Sequence, residues 1–247
     1  MKKFFLFIFF ITNVFFSSAS LLDSLMVNER TSVLIIPYMP AMHLSDADID
    51  LSEGSQMEMP AMRESLRKGI IKALNKNFAE VYDTRMVSND FVRGDNKDIS
   101  ALYHSLMFEK DSVYTLKDPK RFAVKDTMPK RKGASQPKPE ITYINSGVRD
   151  EMLIPDYSEK YNADYLIFLN EIDIKTHAED CINLALKIYR RDLLVHYSIF
   201  NKKGEQVYGD VAVSHFGSNS NDINEIMNES FPKISNYILE SFNMVIK

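Results

Sequence analysis

The run Val33-Leu34-Ile35-Ile36 constrains the fold more than any other stretch. All four residues are apolar and three are β-branched. The run is too short for a stable helix, so it suits a buried strand. Pro37 ends it, because proline has no backbone N–H to donate. The Met-rich and then acidic stretch from Met39 to Asp50 follows, placing His43, Asp46, Asp48 and Asp50 in one short loop. A polar loop leaving a buried strand is where any chemistry in this chain is expected.

The residues after that loop supply cover for the strand. Met62, Leu66, Ile70, Leu74 and Phe78 recur every four positions, and Ile71 and Ala73 widen the stripe. Arg63, Glu64, Arg67, Lys68, Lys72 and Lys76 take the positions assigned to solvent. The spacing predicts an amphipathic helix from Pro60 to about Asn77, with Pro60 in the first turn, where a missing N–H costs nothing. A short strand is expected over Phe78 to Arg85, with Val81 turned inward. Asp98 is expected to cap a helix reaching about Lys110, its buried face made of Ile99, Leu102, Tyr103, Leu106 and Met107.

Further on, Asp156 to Tyr161 fits one helical turn. Asp164-Tyr165-Leu166-Ile167-Phe168-Leu169 suits a central strand covered on both faces. Beyond Asn170 the alternation sets Ile172 and Ile174 inward and Glu171, Asp173 and Lys175 outward. Ile182, Leu184, Leu186 and Ile188 also alternate, which favours a strand over Cys181 to Ile188. Leu193–Phe200 and Gln206–His215 read as a β-hairpin turning at Asn201-Lys202-Lys203-Gly204, with glycine where a positive φ is needed. A last helix carries Ile223, Ile226, Met227, Ile234, Tyr237, Ile238 and Phe242. Pro232 is expected to kink or break it near Phe231. The order predicts a single α/β (or α+β) domain over residues 21–247, a mixed sheet of about five strands covered by amphipathic helices.

Residues 1–20 have the three parts of a secretory signal: Lys2 and Lys3, the apolar stretch Phe4–Phe16, and the small residues Ser17-Ser18-Ala19-Ser20. The apolar stretch is shorter than the ~20 residues of a spanning helix, so cleavage is expected. No cysteine follows it to carry a lipid, and no later stretch is apolar enough to span a bilayer. Cys181 is the one cysteine, so the chain has no internal disulfide, and the thiol is expected to be a small buried apolar group. Lys117 to Glu140 is different in kind. Pro119, Pro129, Pro137 and Pro139 punctuate it, its cations outnumber Asp118, Asp126 and Glu140, and apolar residues are few, which predicts a flexible basic insertion. The net charge of −4 argues against bulk nucleic-acid binding.

A resemblance is carried by the Val33–Pro37 strand followed by a long helix, by Ala163-Asp164-Tyr165-Leu166-Ile167, by Asn201-Lys202-Lys203-Gly204-Glu205-Gln206-Val207, and by the terminal helix. This layout is similar to the amino-terminal domain of the translocation protein TolB and to related domains of curli-secretion and penicillin-binding-protein activator lipoproteins. It covers about half of the mature chain. The chain departs from the lipoproteins in lacking a lipid-bearing cysteine, and from the whole group in carrying the basic insertion. Pro37-Tyr38-Met39-Pro40-Ala41-Met42-His43-Leu44-Ser45-Asp46-Ala47-Asp48 and Leu193-Leu194-Val195-His196-Tyr197 also resemble uncharacterised exported proteins of Bacteroidetes-type bacteria. The resemblance implies a cell-envelope module that serves as an interaction platform; the chain is expected to be periplasmic, to dock onto another envelope protein and to use no cofactor.

Asp46-x-Asp48-x-Asp50 is the sharpest local pattern, since alternate carboxylates begin a calcium loop. The pattern then fails: Leu51 stands where glycine is required and Met57 where a bidentate Glu is required. The loop is therefore expected to bind a partner or to cap the next helix, with His43, Asp46, Asp48 and Asp50 as candidate binding residues and no catalytic or metal assignment. Of the other histidines, His196 and His215 lie on the hairpin at unequal distances from its turn and are not expected to face each other, and His196 is read as structural. No hydrolase elbow, phosphate loop or dinucleotide fingerprint occurs. Three functions follow: a non-enzymatic envelope interaction module, a metal-dependent or His/Asp hydrolase using residues 43–50, and a small-ligand carrier.

Overall fold

The computed structural model describes residues 30–86, 97–112 and 142–246. The expected signal segment and the Lys117–Glu140 insertion lie outside the described residues. Strand β1 (Ser32–Ile36) is buried along its whole length and occupies an interior place in the main sheet. It runs parallel to β3 (Asp83–Met86) on one side and to β6 (Tyr165–Asn183) on the other. Its start is held by Asp164, whose Oδ2 accepts from the Ser32 backbone N–H and hydroxyl, both at 3.1 Å.

At Pro37 the chain leaves the sheet, makes one 3-10 turn over Pro40–Met42, and returns as β2 (His43–Ser45). β2 pairs with β6 again, also in parallel, through Ile172–Ile174, whereas β1 pairs with Tyr165–Phe168. The two short strands thus lie end to end along one side of β6. On the other side, β7 (Ile188–Asn201) and β8 (Gln206–Gly217) continue antiparallel. Gly204, at φ +86°, sits in the turn between them as expected. The architecture is mixed α/β, with a main sheet of six strands among the described residues and a separate two-stranded ribbon.

Helices α1 (Asp48–Gly54), α2 (Met59–Phe78) and α5 (Ile223–Val245) pack on one face of the sheet. The α2 stripe of Met62, Leu66, Ile70, Leu74 and Phe78 meets Val33, Ile35, Ile167 and Leu169 in one core. The other face takes α3 (Lys97–Ser105), α4 (Leu153–Tyr161) and the ribbon of β4 (Leu106–Ser112) and β5 (Thr142–Val148). There Leu34, Ile36, Leu166 and Phe168 meet Leu102 and Ile154.

Several expectations are corrected. Phe78 closes α2 instead of opening a strand, β3 starts only at Asp83, and Val81 is 48% exposed. α3 stops at Ser105, because Leu106 and Met107 continue as the ribbon strand β4, and Met107 is exposed. α4 has nine residues, more than a single turn. Pro232 does not break α5; burial of Ile226, Phe231, Ile234, Ile238 and Phe242 along one face carries the helix through the missing hydrogen bond. Leu184 and Leu186, placed in a strand by their alternation, lie in the exposed β6–β7 turn. Cys181, beside that turn, is half-buried. Glu171 and Asp173, assigned outward, are buried.

Asp173 pairs with Lys175, while the polar face of the β6–β7 pair beside Glu171 is covered by β5. Tyr143 and Asn145 on β5 are buried against it. Ser198 Oγ donates to Asn145 Oδ1 at 2.8 Å, and Asn170 Nδ2 donates to the Ile144 carbonyl at 2.8 Å. The Tyr143 ring lies so close to Gly209 on β8 that a Cβ there would overlap its hydroxyl and ring. Gly209→Ala is therefore expected to destabilise the fold by about 1–3 kcal/mol, the usual range for overpacking. Adding Tyr143→Ala is expected to recover part of that loss, and denaturant unfolding of both variants checks it.

Candidate functional site

The interval between β1 and β2 builds a cleft. Arg67 Nε donates to the Tyr38 carbonyl at 3.0 Å, and the Tyr103 hydroxyl donates to the Pro37 carbonyl at 2.9 Å. These bonds satisfy backbone oxygens that the sheet has released, as buried carbonyls require. Residues Tyr38, Pro40, His43, Met59, Pro60, Arg63, Glu64 and Arg67 line a space of about 260 Å³. Arg67 was assigned to solvent, yet it is buried: it lies at the border of the apolar stripe, next to Leu66, and three partners hold its guanidinium.

His43 is 6% exposed and Asp48, five residues on, is 4% exposed. β2 turns the imidazole inward. The Ser45 hydroxyl accepts from the Ala47 N–H at 3.0 Å, which shapes the step into α1 and brings Asp48 back over the ring. His43 Nε2–H donates to Asp48 Oδ1 at 3.0 Å, and Arg63 Nε–H donates to Oδ2 at 2.5 Å. Burial works against the charge on Asp48, but the bonds from His43 and Arg63 outweigh it and hold the carboxyl below its ordinary range. Burial pushes the Tyr38 phenol far above its ordinary range, so this hydroxyl stays neutral.

The carboxylates of the Asp46-x-Asp48-x-Asp50 pattern do not converge. Asp46 accepts from the Thr176 N–H at 2.9 Å and from the Thr176 hydroxyl at 2.8 Å. Asp50 pairs with Arg191, a 3%-exposed guanidinium that also donates to Asn221 Oδ1 at 2.7 Å. Asp46 and Asp50 thus fasten α1 to β6 and β7, and of the expected site residues only His43 and Asp48 come together. Both Asp48 and Asp50 belong to the first turn of α1 rather than to a loop. Among the described residues, no group of three or more His, Cys, Asp or Glu side chains is placed to hold a metal ion.

Three cleft atoms stand out. Tyr38 Oη, His43 Nδ1 and Glu64 Oε1 are buried and have no hydrogen-bond partner among the described residues. Tyr38, Arg63, Glu64 and Arg67 were not singled out from sequence. A usable signal was present: Arg63 and Arg67 are four apart on one helix face, with Glu64 between them.

A second polar cluster lies under β5. The Ile144 N–H donates to His196 Nδ1 at 3.0 Å, and His196 Nε2 stands 3.7 Å from Glu171 Oε1. His196 pairs across the sheet with Val211, while His215 pairs with Asp192. Burial pushes the His196 imidazole down to about 4, with Lys175 adding to the effect. Burial, with the Asp173 charge adding to it, pushes the Glu171 carboxyl up to about 7.

The chain matches no protein-family model and no curated protein sequence.

Asp48→Ala leaves His43 and Arg63 without their acceptor and is expected to cost about 2 kcal/mol of stability at neutral pH, measured by urea unfolding. In the wild type that contribution is present above the ordinary carboxylate range and is lost as pH falls through the depressed value. Glu171 acts in the opposite sense. The folded state holds its proton up to about pH 7, so its contribution favours the fold in acid and is lost as pH rises. Glu171→Gln is expected to melt at a higher temperature than wild type near pH 8, with the gain closing toward pH 4.

Proposed function

We propose that the protein is a non-enzymatic binding module of the cell envelope that takes its ligand in the Tyr38–His43 cleft. The observation that carries this is a set of buried atoms on cleft-lining residues that have no hydrogen-bond partner among the described residues: Tyr38 Oη, His43 Nδ1 and Glu64 Oε1. Buried polar groups are almost always paired, so such a set is unusual in one place. A volume of about 260 Å³ suits a small molecule, or one side chain of a docked partner, better than an extended interface. His43 is presented by β2 and Glu64 by the first turns of α2, while Tyr38 lies two residues beyond the end of β1. The envelope assignment rests on the secretory pattern in residues 1–20 and on the TolB-like layout.

The same pair supports a second reading as a hydrolase. Asp48 would orient the ring, and His43 Nδ1 would act as a general base. Among the described residues, Tyr38 is the hydroxyl side chain that lines the cleft, and on this reading the base acts on water.

Thermal unfolding of the full chain with a panel of small polar molecules tests the binding reading. At a hundredfold excess over Kd a true ligand adds about 2.7 kcal/mol of stability. Pro40→Trp, which places bulk at an exposed wall of the cleft, is expected to abolish the shift. A panel without a single stabilising member removes the reading. Turnover of a test ester that vanishes in His43→Ala would favour the hydrolase.

A further inference from the structure

Resting on that reading of the cleft, we infer that its ligand is a small zwitterion with a carboxylate and an ammonium group a few atoms apart, as in a free amino acid. The lining separates into two halves of opposite demand. Arg63 gives Asp48 only its Nε–H, and its Nη groups bond nothing among the described residues, on a side chain 44% exposed. Paired guanidinium N–H groups match a carboxylate in geometry and charge. The neutral Tyr38 hydroxyl is a further donor. His43 Nδ1 accepts when the ring is neutral and donates when it is protonated.

Glu64 makes the opposite demand. Its Oε2 accepts from Arg67 Nη1 at 3.0 Å, while Oε1 has no hydrogen-bond donor among the described residues; Lys68 Nζ stands 3.7 Å away, beyond hydrogen-bond reach. A carboxylate oxygen can only accept, so the ligand has to bring a donor. A simple anion would satisfy Arg63 and Tyr38 but would set a second negative charge near Glu64 Oε1 and leave that oxygen without a donor. A simple cation would satisfy Glu64 but would meet the Arg63 and Arg67 guanidiniums. A zwitterion answers both halves at once. One bridging water takes about 30 Å³, a small part of the 260 Å³ present. Met59 and Pro60 give the remaining wall an apolar surface suited to a short aliphatic side chain.

Calorimetric titration of the full chain with leucine, with its deaminated analogue isocaproate and with its decarboxylated analogue isoamylamine tests the inference. Leucine is expected to bind, and each analogue to bind at least about tenfold more weakly, the loss that follows from one missing charged hydrogen bond. Glu64→Gln is expected to bring leucine down to the level of isocaproate. Because that variant also loses the Arg67 ion pair, the three-ligand comparison on the wild type stands by itself. Isocaproate or isoamylamine binding as tightly as leucine would overturn the zwitterion and leave the cleft a binding site, as would leucine failing where another panel molecule binds. Absence of binding by these three and by the whole panel would remove both inferences.

Discussion

Burial of β1 on both faces is the constraint on which the rest of the structure depends. Its side chains alternate between two cores, Val33 and Ile35 in one and Leu34 and Ile36 in the other. Both layers must therefore be in place before the strand is dry, and its backbone must be paired on both edges, which β3 and β6 do. Pro37 then fixes where the strand stops. The chain cannot continue the ladder, so it steps out and rejoins β6 as β2. Tyr38, Pro40 and His43 all come from this interruption. The cleft is thus a by-product of ending a buried strand early, with Arg67 and Tyr103 repairing the carbonyls the interruption exposes.

The acidic residues after His43 share out the work of holding α1 against the sheet. Arg191 is a buried charge, and a buried charge without partners is costly. Asp50, Asn221 and Thr176 surround it, and Asp46 in turn holds Thr176. Asp48 is the member turned the other way, toward His43. A pattern that suggests one cation site is in fact two fasteners and one half of a histidine pair.

Much of the fold was legible because periodicity reports burial. The α2 stripe, the β7–β8 hairpin and the β1 run each follow one core face for their whole length. The misreadings share a cause: burial against a partner distant in sequence. Glu171 looks solvent-facing because alternation cannot show that β5 covers it. Arg67 looks solvent-facing because its partners, the Tyr38 carbonyl and Tyr103, lie on other elements. Leu184 and Leu186 mislead in the opposite direction, since two leucines in a tight turn mimic a strand. At the site, His43 and Asp48 were legible as neighbours in one short segment. The partners of Asp46 and Asp50 were not, since Thr176 and Arg191 lie 130 and 141 residues away. Tyr38 gave no signal, and the spacing of Arg63, Glu64 and Arg67 could not show which of their atoms would be left without a partner, a property of the folded lining alone.

The clasp between Ser32 and Asp164 has a kinetic consequence. It joins residues 132 apart, and the parallel ladder beside it spans the same distance. Closing so long a loop costs entropy before any pairing repays it, and parallel long-range pairing folds slowly. While the chain is being made, β1 can meet β3 and the α2 stripe, but its central neighbour does not exist until β6 has been synthesised. The first strand of the sheet is therefore among the last to become dry.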